Sequence, residues 1–202
     1  MIEVFLAGEG RNELGGWCVE PSYRDPAPAP GVLEALARQV APSGWCVRDA
    51  MQWKNIPKLA VGSKGKGVER KAILAARLHA MERGCAVLMF SRDRDGSKNT
   101  ARQHEVEQTL AELASEDCIA IVGGIAVERL ESWLLAVSGR TGTESLRVEK
   151  TDSELEALGV PAKDTAAMVE LVERRGTASL PSDAASLSAW LQRAGVCLQS
   201  LG

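Results

Sequence analysis

The sequence lacks the features of a zinc-binding, disulfide-bonded or membrane-spanning protein. Its five cysteines are scattered, and no pair has the C-x-x-C spacing of a zinc site. No apolar run reaches the ~20 residues that a membrane-spanning helix needs. Glu3 and Glu9 interrupt the N-terminal apolar run, which argues against a secretory signal. We therefore expect a cytoplasmic protein with reduced cysteines and no membrane partner.

Aromatic and histidine residues are also scarce. Aromatic residues make up 4% of the chain, and there are two histidines. His79 and His104 each fall within a helical pattern, so we expect surface or packing roles for both. The net charge of -3 excludes a wholly basic nucleic-acid binder, although it leaves room for a local basic patch.

Apolar runs and amphipathic segments alternate along the first two thirds of the chain. The predicted strands are 2–7, 85–90 and 118–122, and the predicted helices are 32–40, 68–83, 100–115 and 127–137. This alternation predicts an α/β fold with a mostly parallel sheet flanked by helices. Residues 141–202 show only short helical patterns. We therefore expect an α/β domain over 1–140 and a helical extension over 141–202.

Acidic residues follow two of the predicted strands. Glu9 and Glu13 come after the first strand, and Asp93 and Asp95 come after the strand at 85–90. In open α/β sheets the carboxyl ends of strands are where ligands bind. Converging carboxylates repel one another, and a divalent cation relieves that repulsion. Carboxylate oxygen ligands favour Mg²⁺ or Mn²⁺. A single Asp-x-Asp motif taken alone is explained equally well as a solvated turn.

This arrangement resembles the Toprim fold, the catalytic domain of topoisomerases, DnaG-type primases, OLD-family nucleases and small ribonucleases. Glu9 matches the glutamate of that family, which is a metal ligand or general acid/base. Asp93 and Asp95 match its metal-binding Asp-x-Asp motif. The Glu-Gly-x-x-Glu form that ends at Glu13 resembles the OLD-type branch, in which the second glutamate also serves the metal.

A second resemblance lies at 127–136, which is similar to an Ile-Glu-Ala-Trp-Leu-Leu helix. That helix occurs in small stand-alone Toprim-like proteins found beside ATPases in bacterial defence systems, and Glu131 and Trp133 occupy the matching positions. Glu131 is thereby a further candidate metal ligand, and Glu128 is expected on the same helix face. Trp133 is expected in the core. The sequence departs from the pattern at Val137, where an aspartate is frequent, and over 17–57, which has no counterpart.

The resemblance implies a Mg²⁺-dependent nuclease that hydrolyses phosphodiester bonds. It further implies a role in phage defence with a partner ATPase of the ABC or OLD type, and homo-oligomerisation is a further option. Topoisomerase activity is not expected, because the single tyrosine, Tyr23, lies in a proline-rich connector. Primase activity would require additional domains.

Positive charge is concentrated between Arg48 and Arg77 and around the Asp-x-Asp motif. The candidate phosphate-binding residues are Lys64, Lys66, Arg94 and Lys98. Trp45 and Trp53 flank the start of the basic segment and are candidates to stack on a base. The alternative is a solvated basic helix face.

Two other functions fit the same motifs. Residues 93–97 read Asp-Arg-Asp-Gly-Ser, which fits the nucleophile motif of haloacid-dehalogenase-like phosphatases, with Asp93 as nucleophile. That family normally carries this motif on its first strand and adds an acidic pair downstream, whereas here the motif comes late and the pair is missing. The other alternative is a non-catalytic module that keeps the fold and binds a partner.

Overall fold

A parallel four-stranded sheet forms the centre of the protein. The computed structural model describes residues 1–57, 67–95, 99–116 and 118–201. The sheet contains β1 (Ile2–Gly8), β2 (Trp45–Gln52), β3 (Val87–Phe90) and β5 (Ala120–Val122) in the order β2-β1-β3-β5. All of its strand pairs are parallel. A short second sheet pairs β4 (Arg92–Asp93) with β6 (Ile125–Ala126), also in parallel. The predicted α/β fold with a mostly parallel sheet is confirmed.

Helices cover both faces of the sheet. They are α1 (Arg11–Leu14), α2 (Val32–Val40), α3 (Val68–Glu82), α4 (Thr100–Leu113), α5 (Leu130–Val137), α6 (Val148–Ala157), α7 (Thr165–Arg175) and α8 (Ala185–Ser200). Alternate side chains of a strand point to opposite faces. Val4 and Leu6 therefore belong to a core cluster with α2, α5, α7 and α8, whereas Phe5 and Ala7 belong to a second cluster with α3 and α4.

The segment after residue 140 is helical where the structure describes it. Met168 and Val172 of α7 and Leu187 and Trp190 of α8 are buried in the same core cluster as the sheet residue Leu6. The extension thus contributes to the core, and the division at residue 140 stays a prediction. Across the described ranges, no helix combines the length and apolar character needed to cross a membrane.

The helix predicted at 127–137 begins later, at Leu130. Glu128 has a left-handed backbone conformation (φ 68°) that cannot continue a helix. The prediction that Glu128 and Glu131 share a helix face is therefore wrong. Trp133 is buried as expected, and its indole Nε1 donates a hydrogen bond to Ser186 Oγ at 2.7 Å.

Candidate active site

The sheet order creates a topological switch point at the carboxyl ends of β1 and β3. From β1 the chain passes to β2 on one side, and it then returns to β3 on the other side. Ligands of open α/β sheets bind in the crevice outside such a point. Ala7 and Phe90 are register partners, so Glu9 and Arg92, each two residues further along, leave the sheet side by side. The Asp-x-Asp motif follows at once at Asp93.

Glu13 is held by the turn that follows β1. It is 5% exposed in α1, and its Oε2 accepts the backbone N–H of Gly10 at 2.9 Å. The end of the proline-rich segment packs against this turn, since Gly16 N donates to Ala29 O at 2.8 Å. A Cβ built on the buried Gly31 would lie 2.2 Å from Glu13 O. Because residue 31 is a glycine, the turn bearing Glu13 can pack directly against the backbone at position 31.

We expect Gly31→Ala to destabilise the protein by about 1–3 kcal/mol, because the added methyl group meets backbone atoms that cannot move independently. Thermal or urea unfolding measures this change. Gly195→Ala is the matched control, since its Cβ would meet Val40 Cβ at an ordinary 3.6 Å. The control should be neutral or stabilising by up to ~1 kcal/mol, as for other glycines replaced within helices. Equal stability of the two variants would contradict the close packing described for Gly31.

Asp93 connects the end of β3 to the start of α5. It lies in β4, which is held beside β6 by parallel pairing. Its Oδ1 accepts the backbone N–H of Leu130, the first residue of α5, at 2.9 Å. Asp95 lies two residues further along with a left-handed backbone (φ 57°) and a side chain that is 65% exposed.

Glu131 approaches the same point from α5. It is 6% exposed, and its Oε1 accepts a hydrogen bond from Asn12 Nδ2 at 3.2 Å. Its Oε2 accepts one from Arg129 Nε at 2.7 Å. Asn12 belongs to the Glu-Gly-x-x-Glu turn, so this contact ties α5 to the first acidic motif across 119 residues.

The carboxylates are close enough to shift one another's titration. The pKa of Asp93 is raised to about 8, first by burial and then by the negative charges of Glu13, Glu131 and Glu9, with the N–H of Leu130 opposing them. Burial likewise raises the pKa of Glu13 to about 7, against two backbone hydrogen bonds and with help from Glu131 and Glu9. Burial also raises the pKa of Glu9, while Arg92 lowers it. The site therefore disfavours the ionised forms of these carboxyl groups.

These residues fit a hard divalent cation by chemistry but are not arranged as a finished cage. Among the described residues, no group of three or more His, Cys, Asp or Glu side chains is placed to hold a metal ion. Arginines instead pair with Glu9, Asp95 and Glu131. Asp93 and Glu13 accept backbone N–H groups and carry the raised pKa values. A cation would relieve the repulsion at these two, and its binding requires arginine pairs at the others to open.

The predicted substrate-binding residues have mixed outcomes. The side chain of Arg94 is 13% exposed, and its Nη2 forms an ion pair with Glu128 Oε1. Lys64, Lys66 and Lys98 lie outside the described residues. Trp45 and Trp53 are 3% and 7% exposed, so the expectation that they stack on a base is wrong. Because both indoles are buried, neither ring has an exposed face on which a base could stack.

Sequence reasoning overlooked several residues that build the site. Glu69 of α3 binds both Arg92 and Arg102, and no local pattern distinguishes it from a surface glutamate. Two indoles fix the end of β3. Trp53 Nε1 donates to Ser91 O, and Trp190 Nε1 donates to Phe90 O, both at 2.8 Å.

A surface groove lies away from the acidic residues of the site. It has a volume of about 660 Å³ and is lined mainly by α4, β5 and α8, with residues such as Leu110, Ile121 and Val196. None of the candidate metal ligands lines it. The acidic crevice at the switch point is therefore the better candidate for chemistry.

Comparison of the chain with family models, with curated proteins and with solved structures gave no significant match. Function is therefore inferred from the geometry and electrostatics of the site.

Proposed function

We propose that the protein is a Mg²⁺-dependent nuclease of the Toprim type that hydrolyses phosphodiester bonds. The observation that carries this proposal is the convergence of Glu9, Glu13, Asp93 and Glu131 at the switch point of a parallel sheet, where burial, followed by the negative charges of the other three acids, raises the pKa of Asp93 to about 8. Crowded carboxylates of this kind favour a divalent cation over a purely structural role.

The residues divide by exposure into two roles. Asp93, Glu13 and Glu131 are the more buried acids and would hold the cation, with Asp95 as an outer ligand. A bound Mg²⁺ would supply Lewis-acid stabilisation of a phosphoryl oxygen. Glu9 has a side chain that is 33% exposed and a raised pKa, so it is placed to take up a proton from a water molecule or to return one to a leaving oxygen.

The biological setting is inferred mainly from the resemblance. A partner ATPase of the ABC or OLD type would bring nucleic acid to the site, since the chain is mildly acidic overall. The role in phage defence and any homo-oligomer are inferred from the same resemblance, whereas the cytoplasmic location is inferred from the scattered cysteines.

Cleavage of labelled DNA and RNA tests the proposal directly. Purified protein should cut at least one of them with Mg²⁺ or Mn²⁺ and should stop cutting in EDTA. p-Nitrophenyl phosphate serves as the control substrate, because a phosphatase would hydrolyse it and a nuclease of this kind would not. Absence of cleavage both alone and with a partner ATPase would favour the non-catalytic alternative.

A further inference from the structure

A buried carboxylate holds two arginines beside the acidic site. Glu69 is 6% exposed, and it accepts hydrogen bonds from Arg92 Nε at 2.8 Å and from Arg92 Nη2 at 3.0 Å. Its Oε1 also lies 2.9 Å from Arg102 Nε. The Arg92 guanidinium stacks over the Trp53 ring, 5.2 Å from its centroid. Bidentate pairing and stacking fix the plane of the Arg92 guanidinium, so this is a built position rather than a flexible surface charge.

In both arginines, a guanidinium nitrogen that does not bind Glu69 pairs with a candidate catalytic acid. Arg92 Nη1 pairs with Glu9 Oε1, and Arg102 Nη1 pairs with Asp95 Oδ2. Arg102 Nη1 also donates to the carbonyl oxygen of Asp93 at 2.8 Å. Glu9 and Asp95 are the more exposed acids of the site, with side chains that are 33% and 65% exposed. The arginines therefore hold the acids on the solvent side of the site.

The net charge of this group of arginines and acids changes from negative to positive when Glu9 and Asp95 are engaged elsewhere. Arg92 and Arg102 carry two positive charges against the three negative charges of Glu9, Glu69 and Asp95. If Glu9 and Asp95 leave their arginines, Glu69 still neutralises one arginine charge and leaves one unbalanced. Planar guanidinium groups with free N–H donors match phosphate oxygens well.

We propose that Arg92 and Arg102 are the phosphate-binding groups of the site, and that Glu9 and Asp95 hold them closed in the metal-free protein. This proposal rests on the proposed nuclease function and names its substrate contact, which is the phosphodiester backbone of a nucleic acid. Glu69 keeps both guanidinium groups in place whether or not the outer acids are engaged.

Breaking the ion pair between Arg102 and Asp95 in the metal-free protein tests this arrangement. Asp95→Asn releases Arg102, and asparagine tolerates the left-handed backbone at this position. In EDTA, fluorescence anisotropy should show labelled single-stranded DNA or RNA binding to Asp95→Asn about tenfold more tightly than to the wild type, as expected for a regained charge-assisted hydrogen bond. The double variant Asp95→Asn/Arg102→Gln should return to the wild-type affinity.

Glu112→Gln is the matched control, because it removes one negative charge from an exposed ion pair with Arg70 at 3.0 Å. It should alter the affinity no more than about twofold, as for isolated surface charges. An unchanged affinity in Asp95→Asn, an equal gain in Glu112→Gln or a gain that survives Arg102→Gln would each overturn the assignment. These measurements use no metal and no turnover. A negative result therefore removes the arginine assignment alone, whereas absence of cleavage with Mg²⁺, both alone and with a partner ATPase, removes the nuclease.

Discussion

Glu9→Gln should lower metal-dependent cleavage of nucleic acid by at least about 100-fold, because even groups that only support metal ligands contribute 10–100-fold. The substitution keeps the shape of the side chain and removes its ability to take up a proton. It also removes the negative charge that pairs with Arg92 Nη1, while the pair of Arg92 with Glu69 remains. Initial rates at saturating Mg²⁺ measure the effect, and circular dichroism confirms the fold.

Asp93→Asn separates the nuclease from the phosphatase alternative. A nuclease should lose cleavage in both Glu9→Gln and Asp93→Asn, since both acids belong to one site. A haloacid-dehalogenase-like phosphatase should lose hydrolysis of a small phosphate ester in Asp93→Asn and be nearly indifferent to Glu9→Gln. Glu112→Gln should retain full activity, because Glu112 lies in the surface pair with Arg70. Robust metal-dependent cleavage that survives Glu9→Gln would remove the role assigned to this residue.

The metal-free protein should lose the stabilising contribution of Glu13 and Asp93 as the pH rises from about 4 to about 8. The folded-state pKa values of Glu13 and Asp93, about 7 and about 8, lie above the ordinary values of 4.5 and 3.8. The folded state therefore binds these protons more tightly than the unfolded state does. This stabilising contribution is complete below the unfolded pKa values and disappears as the pH passes the folded ones. Melting temperature recorded against pH in EDTA measures the loss.

Mg²⁺ should reverse this loss, because a cation favours the ionised carboxylates. At a concentration one hundred times Kd, binding adds about 2.7 kcal/mol, which corresponds to roughly 5–10 °C in melting temperature for a chain of this size. Asp93→Asn should abolish the response to Mg²⁺ and flatten the pH profile. A Mg²⁺ shift of the same size in that variant would show that the ion binds elsewhere.

The sequence by itself determined the parallel sheet and the location of its acids. Apolar runs and helical periodicity are local signals, so strands β1 and β3 and helices α2, α3 and α4 were predicted close to their observed bounds. Glu9 and Asp93 could be placed at one edge because both follow strands that run in the same direction. The alternation of strands and helices made parallel pairing the expected arrangement.

The tertiary structure decided which charges meet. The pairs of Glu69 with Arg92 and Arg102 join residues 23 and 33 positions apart, across α3, β4 and α4. The hydrophobic periodicity of a sequence does not reveal such pairs, because an ion pair between distant residues depends on how separate elements pack. The start of α5 was decided in the same way, since the first N–H of the helix bonds to Asp93, 37 residues earlier. Local sequence therefore placed the acids, whereas packing between distant elements decided which arginines hold them.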